Sequence, residues 1–123
     1  MQKTIRNSVS VSGVGIHTGV TTNMTLKPAE ANTGIKFIRT DLSERTVIKA
    51  DVDNVFSTER STGLKNKQAE INTVEHILAA VVGAEIDNLI IEVDNIEIPI
   101  LDGSSKDFTE LIKQAETIEL NAK

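Results

Sequence analysis

Cysteine is absent from all 123 residues, which excludes disulfides and thiolate-ligated metal sites. A reducing compartment is compatible with that absence. Tryptophan and tyrosine are also missing and phenylalanine occurs only three times. The core therefore has to be built from Ile, Val and Leu, which suits a sheet covered by helices. Basic charge is in deficit, with 13 Lys and Arg against 18 Asp and Glu, a net charge of −5 and an isoelectric point near 5.0. A surface of that sign argues against a nucleic-acid partner, whose phosphates need cations opposite them. No apolar stretch follows Met1-Gln2-Lys3-Thr4-Ile5-Arg6, so a signal peptide is not expected. Nor does any run approach the length of a transmembrane segment. A soluble cytoplasmic protein is the expectation, and the length fits one domain over residues 1–123 with a core that needs no staples.

Short alternating runs read as strands. The first covers residues 5–11 with Val9 and Val11 in alternation, and the turn Gly13-Val14-Gly15-Ile16-His17-Thr18-Gly19 follows it. Met24 and Leu26 share one face of a second strand, and Pro28 opens a loop. Residues 35–39 form a third strand, and 47–55 hold one or two weaker ones. Residues 57–70 are polar and unpatterned, a loop or a short hairpin. A helix over 74–82 can start at Asn72 or Thr73, either of which can cap it, and end at a left-handed Gly83. Residues 88–93, with Leu89-Ile90-Ile91 continuously apolar, predict a buried strand. Ile96, Ile98 and Ile100 alternate in an extended run that Pro99 places at an edge or outside the ladder. After the turn Asp102-Gly103-Ser104-Ser105, with a Ser104/Asp107 variant of the capping box, a second helix buries Phe108, Leu111, Ile112 and Ala115. Residues 117–123 start a further strand or a linker. This order predicts an α+β fold: a two-layer sandwich with a mixed or antiparallel sheet of about five strands, covered on one face by two helices.

The first helix carries the candidate chemistry. Advancing roughly 100° per residue places Val74, Ile77, Leu78, Val81 and Val82 in one sector, the predicted packing face. His76 falls nearly opposite its centre, flanked by Ala79 and Ala80, with Glu75 at the border. In a first turn the positive end of the helix dipole favours a carboxylate and disfavours an imidazolium. Neutral imidazole is the metal-binding form, and a Glu beside it can act as general base on an activated water. The pair alone does not define a metal site. Ala80 stands one turn after His76, so the zincin pattern His-Glu-x-x-His is absent, and His17 is the only other histidine.

Longer blocks add specificity. Ile71-Asn72-Thr73-Val74-Glu75-His76-Ile77-Leu78-Ala79-Ala80 with Gly83 and Ile86-Asp87-Asn88 closely resembles the N-terminal domain of the LpxC family, the UDP-3-O-acyl-N-acetylglucosamine deacetylases of lipid A and lipopolysaccharide biosynthesis. The loop from Gly13 to Gly19, Asn32-Thr33-Gly34-Ile35, Arg39-Thr40-Asp41-Leu42 and Glu97-Ile98-Pro99-Ile100-Leu101-Asp102-Gly103-Ser104 resemble further blocks of that family in the same order. The resemblance covers essentially the whole chain. It implies a Zn2+-dependent hydrolase that removes acetate from the 2-acetamido group of its UDP-sugar substrate. By that similarity His76 is a metal ligand and Glu75 the catalytic general base. The remaining His and Asp ligands and a general-acid histidine belong to a second, C-terminal catalytic domain, packed helix layer to helix layer. None of these is present here, so the isolated chain is expected to be inactive.

Three substrate-binding candidates come with the resemblance. His17 either lines the active-site cleft or is a polar loop residue. Asp102 either orders the catalytic groups or forms a turn before Gly103. The loop 58–64, with Thr62, matches a segment that contacts substrate. Some relatives carry Cys where this chain has Ser61-Thr62-Gly63, which leaves fine specificity open. The alternative reading is a non-catalytic α+β module for binding or assembly. A phosphate-binding relative of similar fold is disfavoured, because Gly13-x-Gly15-x-x-x-Gly19 has neither the Walker spacing nor its Lys.

Overall fold

A computed structural model describes residues 1–42, 46–57, 62–101 and 106–122 of the chain. In order these form β1 (Lys3–Ile5), β2 (Val9–Val14), β3 (Thr21–Pro28), β4 (Ile35–Arg39), β5 (Thr46–Lys49), a 3-10 turn (Val52–Asn54), β6 (Val55–Ser57), β7 (Thr62–Lys65), β8 (Glu70–Asn72), α1 (Glu75–Gly83), β9 (Leu89–Val93), α2 (Lys106–Ala115) and β10 (Thr117–Glu119).

Alternation sets the main sheet. Successive strand side chains point to opposite faces, and in β3 Thr22, Met24 and Leu26 are fully buried while Thr21 and Asn23 are exposed. The continuously apolar β9 takes the centre, in the order β2-β3-β9-β4-β5. All neighbours are antiparallel except β4 and β9, which run parallel with Phe37 opposite Ile91. Met24, Leu26, Phe37, Ile48, Leu89, Ile91 and Val93 from the sheet join Ile77, Val81, Phe108, Leu111 and Ile112 from the helices in one core. Each such side chain, fully buried, contributes about 1.5–3 kcal/mol relative to exposure. The result is the predicted two-layer α+β architecture, with a mixed five-stranded sheet and two helices. No helix among the described residues is long and apolar enough to cross a membrane.

Several boundaries differ from the sequence-based expectation. The first strand divides at Arg6-Asn7-Ser8, all exposed. The chain leaving α2 draws its first part away: Arg6 and Asn7 N–H donate to the Glu116 and Ala115 carbonyls at 2.7 and 3.0 Å, and β1 pairs with β10. Pro28 is the last residue of β3, opposite Leu89, rather than the start of a loop. Residues 57–70 contain the β7–β8 hairpin, to which β6 adds a third strand. The extended run after β9 lies outside the ladders, apart from a single bridge between Asn72 and Glu97.

Helix α2 buries Phe108, Leu111, Ile112 and Ala115, as its periodicity predicts. Helix α1 is rotated from its predicted face. Ala80 is 3% exposed and belongs to the core, whereas Val82 is 76% exposed. Residues 77–82 are all apolar, so their pattern alone could not fix the packing sector; contact with α2 and the sheet does. Gly83 is not the left-handed terminator. That role falls to Glu85 (φ 59°), whose N–H donates to the Val82 carbonyl while that of Ile86 reaches Val81, a Schellman closure with Ile86 packed into the core. Neither Asn72 nor Thr73 caps the start: Val74 is the N-cap residue and receives no side-chain cap.

Candidate active site at the start of helix α1

Glu75 and His76 occupy the first turn of α1, and both are half-buried. With Ala80 in the core, His76 sits at the border of the exposed sector rather than opposite the packing face. The open part of the helix runs through Ala79, Val82 and Gly83. Among the described residues the half-buried His76 ring forms no hydrogen bond or ion pair.

Among the described residues the Glu75 carboxylate is held through one oxygen. The Thr62 N–H at the head of β7 donates to Oε2 at 2.6 Å, and Oε1 has no partner among the described residues. The Thr62 carbonyl accepts from Val74 N–H at 3.0 Å. One residue of the hairpin therefore clamps both the helix entry and its first carboxylate. Thr62 thus meets the pair through its backbone, and its side chain is half-buried.

A second clamp arrives from Glu97, which is fully buried. Its carboxylate accepts from the His17 N–H at 3.2 Å, from the Thr18 N–H and Oγ1 at 2.9 Å each, and from Thr73 Oγ1 at 2.6 Å. Burial by itself would raise its pKa. The donors from Thr73, Thr18 and His17 outweigh that and hold the carboxyl below the ordinary glutamate value. The backbone around it is equally constrained: its carbonyl accepts from Thr22 Oγ1 at 2.7 Å, and Asn72 exchanges hydrogen bonds with Ile96 and Ile98 at 2.7 and 3.1 Å. Gly15 is required beside it, since a Cβ there would lie 2.2 Å from Glu97 Oε1. Thr73 adopts φ 64°, a left-handed conformation that a β-branched residue rarely takes.

The candidates therefore separate. Glu75 and His76 are adjacent, Thr62 touches Glu75, and the backbone of exposed His17 is joined through Glu97 to Thr73, two residues before Glu75. Asp102, the Ser104 of the expected capping box, and Ser61 lie outside the described residues. Sequence reasoning missed Glu97. Its neighbours Ile96, Ile98 and Ile100 alternate, so a Glu between them reads as solvent-facing. In fact Glu97, Ile98 and Pro99 are consecutively buried. No local signal ties residue 97 to 17 or 73; a Glu flanked by β-branched residues and Pro in a run outside the ladder was the available hint.

A zinc site takes three or four protein ligands. Among the described residues no cluster of three or more His, Asp or Glu side chains stands ready to hold a metal. The donor set at α1 fits such an ion in part, with one imidazole and an adjacent carboxylate.

What fold and site define together is an α+β two-layer domain that presents a carboxylate and an imidazole side by side at a clamped helix start. The chain matches the LpxC family, UDP-3-O-acyl N-acetylglycosamine deacetylase, over residues 2–123, and it belongs to that family. It is 50% identical over 122 residues to the UDP-3-O-acyl-N-acetylglucosamine deacetylase of Colwellia psychrerythraea, 47% over 122 residues to that of Haemophilus influenzae, and 45% over 121 residues to that of Thioalkalivibrio sulfidiphilus. Each match covers 98% of this chain, which spans about 40% of the length of these relatives.

Proposed function

We propose that residues 1–123 are the N-terminal domain of a zinc-dependent deacetylase that removes acetate from UDP-3-O-acyl-N-acetylglucosamine in lipid A biosynthesis, in the cytoplasm. The observation that carries the reading is the Glu75–His76 pair, with Glu75 fixed through Oε2 by Thr62 N–H and Oε1 without a partner among the described residues. Family membership and the relatives' names support the substrate class. His76 is one metal ligand; a C-terminal catalytic domain brings the others, because the sequence holds only two histidines and no cysteine. Zinc, when bound, supplies Lewis acidity toward the amide carbonyl and the attacking water. Glu75 Oε1 takes the proton from that water as its oxygen bonds to the carbonyl carbon. The C–N bond then breaks, and the nitrogen leaves as the free amine with a proton delivered from the second domain. His17, Thr62 and Asp102 border the bound sugar. A fixed carboxylate needs no reorientation before it accepts the proton, which is how the Thr62 clamp serves the step.

The experiment is acetate release from the UDP-sugar by three zinc-supplemented samples: residues 1–123 alone, the remaining length alone, and the two joined in the complete protein. Only the combination is expected to turn over. Activity from residues 1–123 alone would refute the division of ligands, and an inactive complete protein would refute the hydrolase reading. The second reading, a non-catalytic binding or assembly module, rests on the exposed Val82 of α1. Self-association of the chain, together with no acetate release by the complete protein, would favour it.

A further inference from the structure

We infer that Glu97 is a positioning residue for the Glu75–His76 pair, locking the His17 loop to Thr73, two residues before helix α1 begins; the inference rests on the proposed function above. A fully buried carboxylate is costly to retain unless its oxygens are satisfied, and an apolar residue would often serve stability as well. Here every hydrogen bond to the Glu97 carboxylate comes from the Gly13–Gly19 loop or from Thr73, two residues before Glu75. Its donors are His17 N–H, Thr18 N–H and Oγ1, and Thr73 Oγ1. Hydrogen bonds to an ionised acceptor are shorter and stronger than neutral ones, in keeping with the 2.6 Å contact from Thr73.

The geometry makes Thr73 the lever. Its left-handed φ of 64° turns the chain from β8 into α1. That conformation is unfavourable for a β-branched residue, so something must hold it. The Glu97 carboxylate holds its hydroxyl on one side, and the Thr62 carbonyl holds Val74 N–H on the other. If the first tie is lost, Thr73 can relax, the first turn of α1 shifts, and Glu75 and His76 shift with it. The same carboxylate also closes the Gly13–Gly19 loop, because Gly15 leaves space for it and His17 and Thr18 point their N–H groups at it. Glu97 touches neither Glu75 nor His76; it acts through Thr73 and the loop.

The test uses the full-length protein and four variants. Glu97→Gln keeps the shape but loses the charge and one acceptor. Thr73→Val removes only the hydroxyl at the same volume, and Thr73→Ser restores it. Gly15→Ala pushes against the carboxylate without changing it. Misplacing reacting groups by about 1 Å can cost on the order of 100-fold in rate. The expected result is therefore a fall in kcat of about 10- to 100-fold for Glu97→Gln and Thr73→Val, with KM changed less than about threefold. Hydrogen exchange in peptides spanning residues 15–20 should accelerate about tenfold or more in Glu97→Gln and Gly15→Ala. Thr73→Ser recovers most of what Thr73→Val loses. Unchanged kcat in folded Glu97→Gln, or exchange in the loop no faster than in the parent, would overturn the inference. If Glu97→Gln fails to fold, the Thr73 pair decides: equal kcat in Val and Ser variants overturns it. A parent protein that releases no acetate would sink the proposed function, whereas loop protection lost in Glu97→Gln would still support the lock.

Discussion

The two helices lie against each other and differ in what their outer faces do. Helix α2 alternates sharply, with Phe108, Leu111, Ile112 and Ala115 inside and Lys106, Glu110, Lys113 and Gln114 outside. Its job ends at the core. Helix α1 is apolar nearly all round, leaves Val82 exposed, and concentrates its polarity in Glu75 and His76 at the first turn. A helix of the first kind is explained by the sheet it covers. A helix of the second kind has chemistry and surface left over, and its entry is clamped by Thr62 and, through Thr73, by Glu97.

This contrast is open to attack at four points. The largest effect belongs to α1: Glu75→Gln in the complete protein should lower kcat for deacetylation by about 10²–10⁴-fold. Its melting temperature should barely move, since a Gln oxygen can still accept from Thr62. Unimpaired turnover would place α1 in the same class as α2. Next, Phe108→Ala in α2 should cost about 3–5 kcal/mol of stability by denaturant titration; a cost under about 1 kcal/mol would mean that the α2 face does not carry the core.

Acid sharpens how the anchors contribute. The carboxyls of Asp41 and Glu97 both lie below their ordinary values of 3.8 and 4.5, Asp41 because the Arg39 guanidinium donates to it, Glu97 because its donors outweigh burial. As pH falls through those ordinary values, the unfolded chain binds protons that the folded chain still excludes. The contribution is therefore complete above about pH 6 and is lost progressively as pH drops toward and through the folded values. Urea midpoints measured from pH 7 to pH 3 should fall with acid, and Glu97→Gln should flatten that slope. A profile unchanged by the substitution would detach Glu97 from the acid response. The smallest effects test the rotation of α1. Val82→Ser should change stability by no more than about 0.5 kcal/mol, whereas Ala80→Leu should cost about 1–3 kcal/mol by overpacking. A reversed order would restore the wheel drawn from the sequence.

The sequence made α2 and β3 legible through one clear period each, and β4 and β9 as short apolar-rich runs of strand length. It placed α1 within a residue but turned it, since with apolar side chains on every side the packing face is chosen by tertiary neighbours. The strand 5–11 was broken by a partner, the chain after Ala115, that local pattern cannot see. At the candidate site, Glu75 and His76 were legible through the block of residues around them, not through their own spacing. Thr62 was named as a substrate contact; the structure adds that its backbone N–H clamps Glu75, a role that its sequence neighbours do not signal. Glu97 stayed hidden because its meaning lies in residues 17, 18 and 73, far away along the chain.

The central claim is that the first turn of α1 gives a single metal ligand that functions only with ligands from elsewhere in the protein. Zinc content of the purified full-length protein, compared between the parent and His76→Ala at equal fold content by circular dichroism, tests it most directly. One tightly held equivalent in the parent, and a loss of affinity of at least about tenfold in the variant, is the predicted result. Equal zinc retention in both proteins would contradict it.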